Sequence, residues 1–199
     1  IFQFGILLYI SFLFGGLLCK VSNDIQFHLE QTVFERMSLE DRMTGVKNRK
    51  AFEQCIEEIQ EAAILLKNVL LLFIHIDGLK KINDMNGMQM GDEVVIRTAR
   101  SIQIAGKSLE PDAESFRVNG NEFAVVAVNP QKLPEEWEKV ILNELKKEIG
   151  SRCRIELKFG YSYLREKDGT LQSVSDWKMQ ADKMLCLNTG KSVEDRYDL

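Results

Sequence analysis

The chain has 199 residues, of which 45% are hydrophobic and 28% charged, enough apolar material for a packed domain and too much for bulk disorder. A net charge of −4 argues against a dedicated nucleic-acid binder, which needs a basic face. The four cysteines (Cys19, Cys55, Cys153, Cys186) are far apart with no CxxC pair, which speaks against a zinc site and for a reduced, intracellular domain.

Residues 1–19, IFQFGILLYISFLFGGLLC, carry no charge, and Gln3 and Ser11 are the only strongly polar side chains. At 1.5 Å per residue such a helix nearly spans a hydrocarbon core of about 30 Å. The run predicts a transmembrane helix; a signal-peptide core and a buried helix are the other readings. Over residues 20–41, Ile25, Leu29, Val33 and Met37 recur every four residues with Phe34 beside them. That stripe predicts a helical signalling linker, able to pair with a second copy or to pack on its own domain. Residues 42–199 are left as the folded domain.

Within it, Arg49 to Leu66 reads as a helix, with Phe52, Cys55, Ile56, Ile59 and Ala63 on one face and Asn48 as its cap. Val69 to Ile76 (VLLLFIHI) is a continuous apolar run, as in a central strand buried on both faces, and Asp77-Gly78 ends it. Leu79 to Met85 predicts a short helix, broken near Gly87 and Gly91. Asp92 to Ile104 predicts another, with Val94, Val95, Thr98 and Ile102 facing inward. Ser115–Val118 and Phe123–Val128 flank Asn119-Gly120-Asn121, a hairpin signal whose central positions tolerate positive φ. Pro134 opens a helix to Ile149, Arg152 to Leu164 alternates as one or two strands would, and Ser173 to Leu187 is a last amphipathic helix. This order predicts an α/β domain with a β-α-β-β-α-β core and an antiparallel pair in the middle of the sheet.

Such a sheet sets the end of the first strand beside the hairpin. Acids at those two places could hold a divalent metal on a nucleoside triphosphate, since magnesium prefers hard oxygen ligands. His75 and Asp77 are two apart and share a face. Asn121 and Glu122 are neighbours and point opposite ways if the chain is extended there.

Three blocks, in order, resemble a known family. DRMTGVKNRKAF (Asp41–Phe52), HIDGLKKINDMNGMQMGDEVV (His75–Val95) and RVNGNEF (Arg117–Phe123) are similar to the conserved blocks of GGDEF domains, the diguanylate cyclase family, and ADKMLC (Ala181–Cys186) resembles its last helix. The resemblance implies a palm-like βαββαβ fold whose active members condense two GTP molecules into cyclic di-GMP across a homodimer, with magnesium or manganese on each GTP. It implies that Asn83 and Asp92 read guanine, that Lys80 stands beside the phosphates, and that Gly78 and Leu79 present backbone N–H groups to them. It places Gly120 in the signature loop and Glu122 as the signature's acid, the candidate catalytic group. Turn and cap chemistry around Gly87 and Gly91 is the plainer account of Asn83 and Asp92, and a solvated helix face that of Lys80.

The same resemblance marks departures. His75 stands where the family has its first metal-binding Asp, Asn121 where it has the signature's metal-binding acid, and Asn119 where it has the first Gly. Asp77 is kept but is not the principal metal side chain. Imidazole and amide are poor magnesium ligands, which favours His75 as a structural residue under the sheet over a ligand for manganese or zinc. Met88 follows Gly87 where the family has His, and Glu110-Pro111-Asp112-Ala113 replaces the RxxD motif of product inhibition. The tail after Asn188 is short, leaving Lys191 as the candidate phosphate lysine. The expectation is a degenerate, membrane-anchored module with its domain in the cytoplasm, binding a guanine nucleotide or a protein partner. The alternatives are an active cyclase using His75, Asp77, Asn121 and Glu122 around a softer metal, and a structural dimerisation module.

Overall fold

A computed structural model of the chain describes residues 14–18, 20–22, 25, 39–150 and 155–190. The chain divides into two units, Ile1–Leu39 and Glu40–Leu199. In the first, residues 14–18, 20–22 and 25 are helical and exposed. Among the described residues no helix is long and apolar enough to cross a membrane. Most of the predicted span 1–19, most of the predicted linker 20–41 and the candidate Lys191 lie outside the described residues.

The second unit runs β1 (Lys47–Asn48), α1 (Arg49–Ala62), β2 (Val69–Asp77), α2 (Leu79–Asn86), α3 (Met88–Leu109), β3 (Glu114–Asn119), β4 (Glu122–Val128), α4 (Pro134–Ile149), β5 (Glu156–Tyr163) and α5 (Val174–Thr189). The strands form one five-stranded mixed sheet in the order β1-β3-β4-β2-β5. Only the β1–β3 pair is parallel. This is the expected α/β architecture. Val69 to Ile76 are all buried, because β2 lies between β4 and β5 and is covered on both faces.

Alternation along β2 divides the core. Leu70, Leu72, Ile74 and Ile76 pack with Phe123 and Val125 of β4 against Ile82 of α2, Val95, Ala99 and Ile102 of α3 and Trp137 and Ile141 of α4. On the opposite face, Phe52 of α1 makes edge contacts with Phe73 (6.0 Å) and Phe116 (5.4 Å). α5 lies so close over β5 that a Cβ on Gly160 would meet its backbone. Trp177 of α5 is fully buried; its indole N–H donates to the Ser162 carbonyl (3.2 Å), and the Ser162 hydroxyl donates to the Trp177 carbonyl (2.6 Å). The outer edge of β5 is not open for pairing along its length: Asn188 donates to the Phe159 carbonyl (2.7 Å), and the Tyr161 N–H meets the Met184 sulfur (3.4 Å).

Three local expectations are corrected and one is narrowed. α1 ends at Ala62, not Leu66; Arg165 reaches the Leu66 carbonyl (3.2 Å) and the Ala63 and Ile64 carbonyls (each 3.4 Å) just beyond it. The break between α2 and α3 is at Gly87 alone, whose φ of 87° ends one helix and starts the next, whereas Gly91 lies inside α3. The hairpin turn does not use positive φ at Gly120 or Asn121; a register shift between Arg117 and Asn119 bulges β3 instead, and bulges add the local twist a tight hairpin needs. Among the described residues, Arg152–Leu164 yields one strand, β5, rather than two.

Candidate functional site

The antiparallel register of β2 and β4 sets His75 directly opposite Glu122. Both side chains are buried, the residues being 5% and 6% exposed. His75 Nδ1 lies 3.1 Å from Glu122 Oε1. On its other side, His75 Nε2 lies 3.4 Å from the Asn121 amide nitrogen, which also donates to the Ile76 carbonyl at 3.2 Å. Asn119 donates to the second Glu122 oxygen at 2.8 Å. A carboxylate only accepts and an amide nitrogen only donates. The imidazole that satisfies both neighbours carries its proton on Nδ1 and accepts at Nε2. Four side chains thus form one chain of hydrogen bonds, Asn119 to Glu122 to His75 to Asn121.

This corrects the expectation that Asn121 and Glu122 point apart. Asn121 sits in the turn, not in an extended strand, so both reach the same imidazole. Asn119, which stands where the resembled family has its first Gly, is a donor that holds Glu122. No spacing rule exposes that role, because the β3 bulge is what brings residue 119 opposite residue 122.

Asp77 shares the His75 face by register but takes no part in this chain; its carboxylate accepts the Gly78 N–H at 3.0 Å. Opposite it in β5 is Glu156, whose Oε1 is 2.5 Å from Lys158 Nζ. The Glu156 hydrogen bond and the charges of Glu156 and Asp77 raise the Lys158 pKa. Gly78 has a φ of 67°, a left-handed residue that turns the chain sharply from β2 into α2. Leu79 and Lys80 occupy the first helical turn, with Lys80 exposed.

Asn83 and Asp92 are brought to one place by the packing of α2 on α3. A Cβ on Gly91 would lie 1.7 Å from Asn83 Oδ1, so the amide occupies the space a side chain would fill. That Oδ1 is buried without a hydrogen-bond partner. An unmatched acceptor of this kind costs about 1–3 kcal/mol. Asp92, the next residue, is exposed.

The hairpin is braced from the domain's N-terminal loop. Arg117 pairs with Asp41 (3.1 Å) and donates to the Gly120 carbonyl (2.8 Å), while the Thr44 amide and hydroxyl both donate to Asp41 (2.9 and 2.6 Å). Burial pushes the Asp41 carboxyl up, but the Thr44 and Arg117 hydrogen bonds outweigh it and hold the pKa below 3.8. A lowered carboxylate pKa stabilises the fold above the unfolded value, and that contribution fades as pH falls through the folded one. Asp41→Asn is therefore expected to lower the urea midpoint at about pH 7 and to lower it by less at about pH 3. An equal loss at both would show that Asp41 acts only through packing.

The metal test is negative. Among the described residues no group of three or more His, Cys, Asp or Glu side chains is arranged to hold a metal ion. His75 Nε2 and the Ile76 carbonyl both face the same Asn121 amide nitrogen, and Glu122 is turned inward.

Comparison with known proteins agrees with this architecture. The family described as "Diguanylate cyclase, GGDEF domain" matches residues 38–190. The chain is 34% identical over 133 residues to the probable diguanylate cyclase DgcJ of Escherichia coli, covering 63% of this chain and 26% of that protein. It spans about a quarter to a third of the length of the first curated relatives it matches. Among solved structures, the coiled coil and GGDEF domain of DgcB from Caulobacter crescentus, in complex with c-di-GMP, superposes with a TM-score of 0.62 at 25% identity, covering 85% of this chain and 90% of that one. Diguanylate cyclase SiaD from Pseudomonas aeruginosa, in complex with its activator SiaC, gives a TM-score of 0.62 at 20% identity, covering 87% and 67%. The latter likeness is one of fold.

Proposed function

Because the chain belongs to the diguanylate cyclase GGDEF-domain family, we propose that it is a signalling module that binds a guanine nucleotide without condensing it to cyclic di-GMP. The observation that carries this reading is the buried chain from Asn119 through Glu122 and His75 to Asn121. By the resemblance of the sequence blocks, this chain puts an imidazole and an amide where active members of the family carry metal-binding acids, and its Glu122 carboxylate is engaged internally. Phosphoryl transfer depends on cationic stabilisation of developing phosphate charge, so a site without it loses many orders of magnitude in rate. Incubation with GTP and either magnesium or manganese is expected to yield no cyclic di-GMP by mass detection. Steady accumulation with either ion would establish the alternative, an active cyclase on a non-standard metal site.

Asn83 and Asp92 support guanine as the base. An amide and a carboxylate match its N1 and N2 donors, and adenine would leave such groups unpaired. A hydrogen bond to a charged group contributes about 1.5–3 kcal/mol, so Asp92→Ala is expected to weaken GTP binding at least about tenfold in a calorimetric titration. Gly91→Ala should do the same by pushing the Asn83 amide out of its seat. Unchanged binding in both variants would remove the guanine assignment.

The uncharged run at 1–19 supports a membrane anchor, and GTP as ligand requires the domain on the cytoplasmic side. Retention of the full chain in the membrane fraction after an alkaline wash tests this. Homodimer formation through residues 20–41 is part of the same reading and is checked by sedimentation in detergent.

A further inference from the structure

Resting on the guanine assignment above, we propose that the nucleotide is taken without a divalent cation, and that the ligand class is set by the base and not by the number of phosphates. Where β2 ends beside the hairpin, His75 Nε2, the Ile76 carbonyl and both Glu122 carboxylate oxygens are already engaged inside the protein. His75 Nε2 and the Ile76 carbonyl share the Asn121 amide nitrogen (3.4 and 3.2 Å). A cation reaching Nε2 must displace that N–H and leave the amide with the Ile76 carbonyl alone. Glu122 cannot turn outward without stranding the buried His75 Nδ1–H and the Asn119 amide, a loss of about 1–3 kcal/mol for each donor. Asp77 is held by the Gly78 N–H, and Glu156 opposite it is neutralised by Lys158.

An unaccompanied triphosphate then meets the backbone N–H groups of the first turn of α2 and its lysines, Lys80 and Lys81, both exposed and screened by water. Asp77 stands one residue before that turn and repels the same anion. Added phosphates therefore bring little attraction, whereas the Asn83 and Asp92 end discriminates fully. A guanosine mono- or diphosphate should bind about as well as GTP.

Titration of the full chain with GTP, GDP and GMP, each in excess magnesium and in EDTA, tests this. The expected result is that all six dissociation constants lie within about tenfold, with ATP and AMP binding at least about tenfold more weakly. Magnesium tightening GTP more than about tenfold, or GTP exceeding GMP by that factor in EDTA, overturns this inference and leaves the guanine reading standing. Failure of all three guanine nucleotides overturns both. Manganese alone, followed by its electron paramagnetic resonance signal, gives a readout free of nucleotide: the signal should stay that of the free ion. Stoichiometric quenching that Asn121→Ala abolishes would overturn the inference.

Discussion

Replacing His75 and Asn121 together by Asp is expected to produce a domain whose melting temperature depends on magnesium, in contrast to the native chain. The double change removes the imidazole that separates Glu122 from Asn121 and sets new carboxylates beside a buried one. Leaving a buried carboxylate without its partner costs about 3–5 kcal/mol, and for a domain of this size each kcal/mol shifts the melting point by roughly 2–4 °C. In EDTA the variant should therefore melt roughly 10 °C below the native protein. A cation at a hundredfold excess over its dissociation constant returns about 2.7 kcal/mol, so most of the loss should be recovered in magnesium or manganese. Cyclic di-GMP formation from GTP should rise at least about a hundredfold over the native background, the scale set by restoring one strong electrostatic contact to a reacting phosphoryl group. Asn119→Gly added to the pair should raise it further by releasing Glu122. Equal melting in EDTA and in magnesium would show that the rest of the pocket no longer accommodates a metal, and would sink the account of the His75 network as its replacement.

Gly160→Ala is expected to be the most destabilising single methyl addition in the domain. The new carbon would lie 2.3 Å from the Leu185 nitrogen, 2.4 Å from the Ala181 carbonyl oxygen and 2.6 Å from the Leu185 Cβ. Two of those atoms are helix backbone, so no side chain can swing aside. α5 must lift from the sheet, which strains the paired Trp177–Ser162 hydrogen bonds and the Asn188 contact to Phe159. Overpacking of this kind costs about 1–3 kcal/mol and more when backbone must move, so a fall of roughly 6–12 °C in melting temperature is expected. Gly120→Ala is the control. Nothing lies within 4 Å of its would-be Cβ and its φ is not positive, so stability should change by less than about 0.5 kcal/mol. A Gly160→Ala protein that melts with the native one would mean that α5 does not sit on β5 as described.

The two parts of the proposed function rest on two different ends of one strand–helix segment. His75 closes β2 on the sheet side, and Asn83 lies past the Gly78 turn on the helix side. One turn of helix separates the proposed base-reading residues from the buried His75 network. Sequence change at His75, Asn119 and Asn121 could remove the second without disturbing the first.

Much of this was legible in the residues themselves. Apolar period and punctuation placed β2, α4 and the hairpin, because a run such as VLLLFIHI has no amphipathic face and must be covered on both sides, and Pro134 can only begin a helix. Asn48 and Ser173 were correctly placed at or beside helix starts because capping is local chemistry. The neutral character of His75 and Asn121 was equally visible. Three things were not. The β3 bulge, which brings Asn119 onto Glu122, depends on the pairing of two strands and leaves no periodic trace. Gly91 read as a helix breaker, because its purpose is to make room for Asn83 from another helix. The convergence of Asn121 and Glu122 on a single imidazole required the turn geometry and the register of β2 against β4 together. Residue chemistry thus determined which groups this domain has to work with. Only long-range packing decided which of them face each other, since hydrogen bonds between residues 46 and 47 positions apart are set by strand register and not by any local preference of the chain.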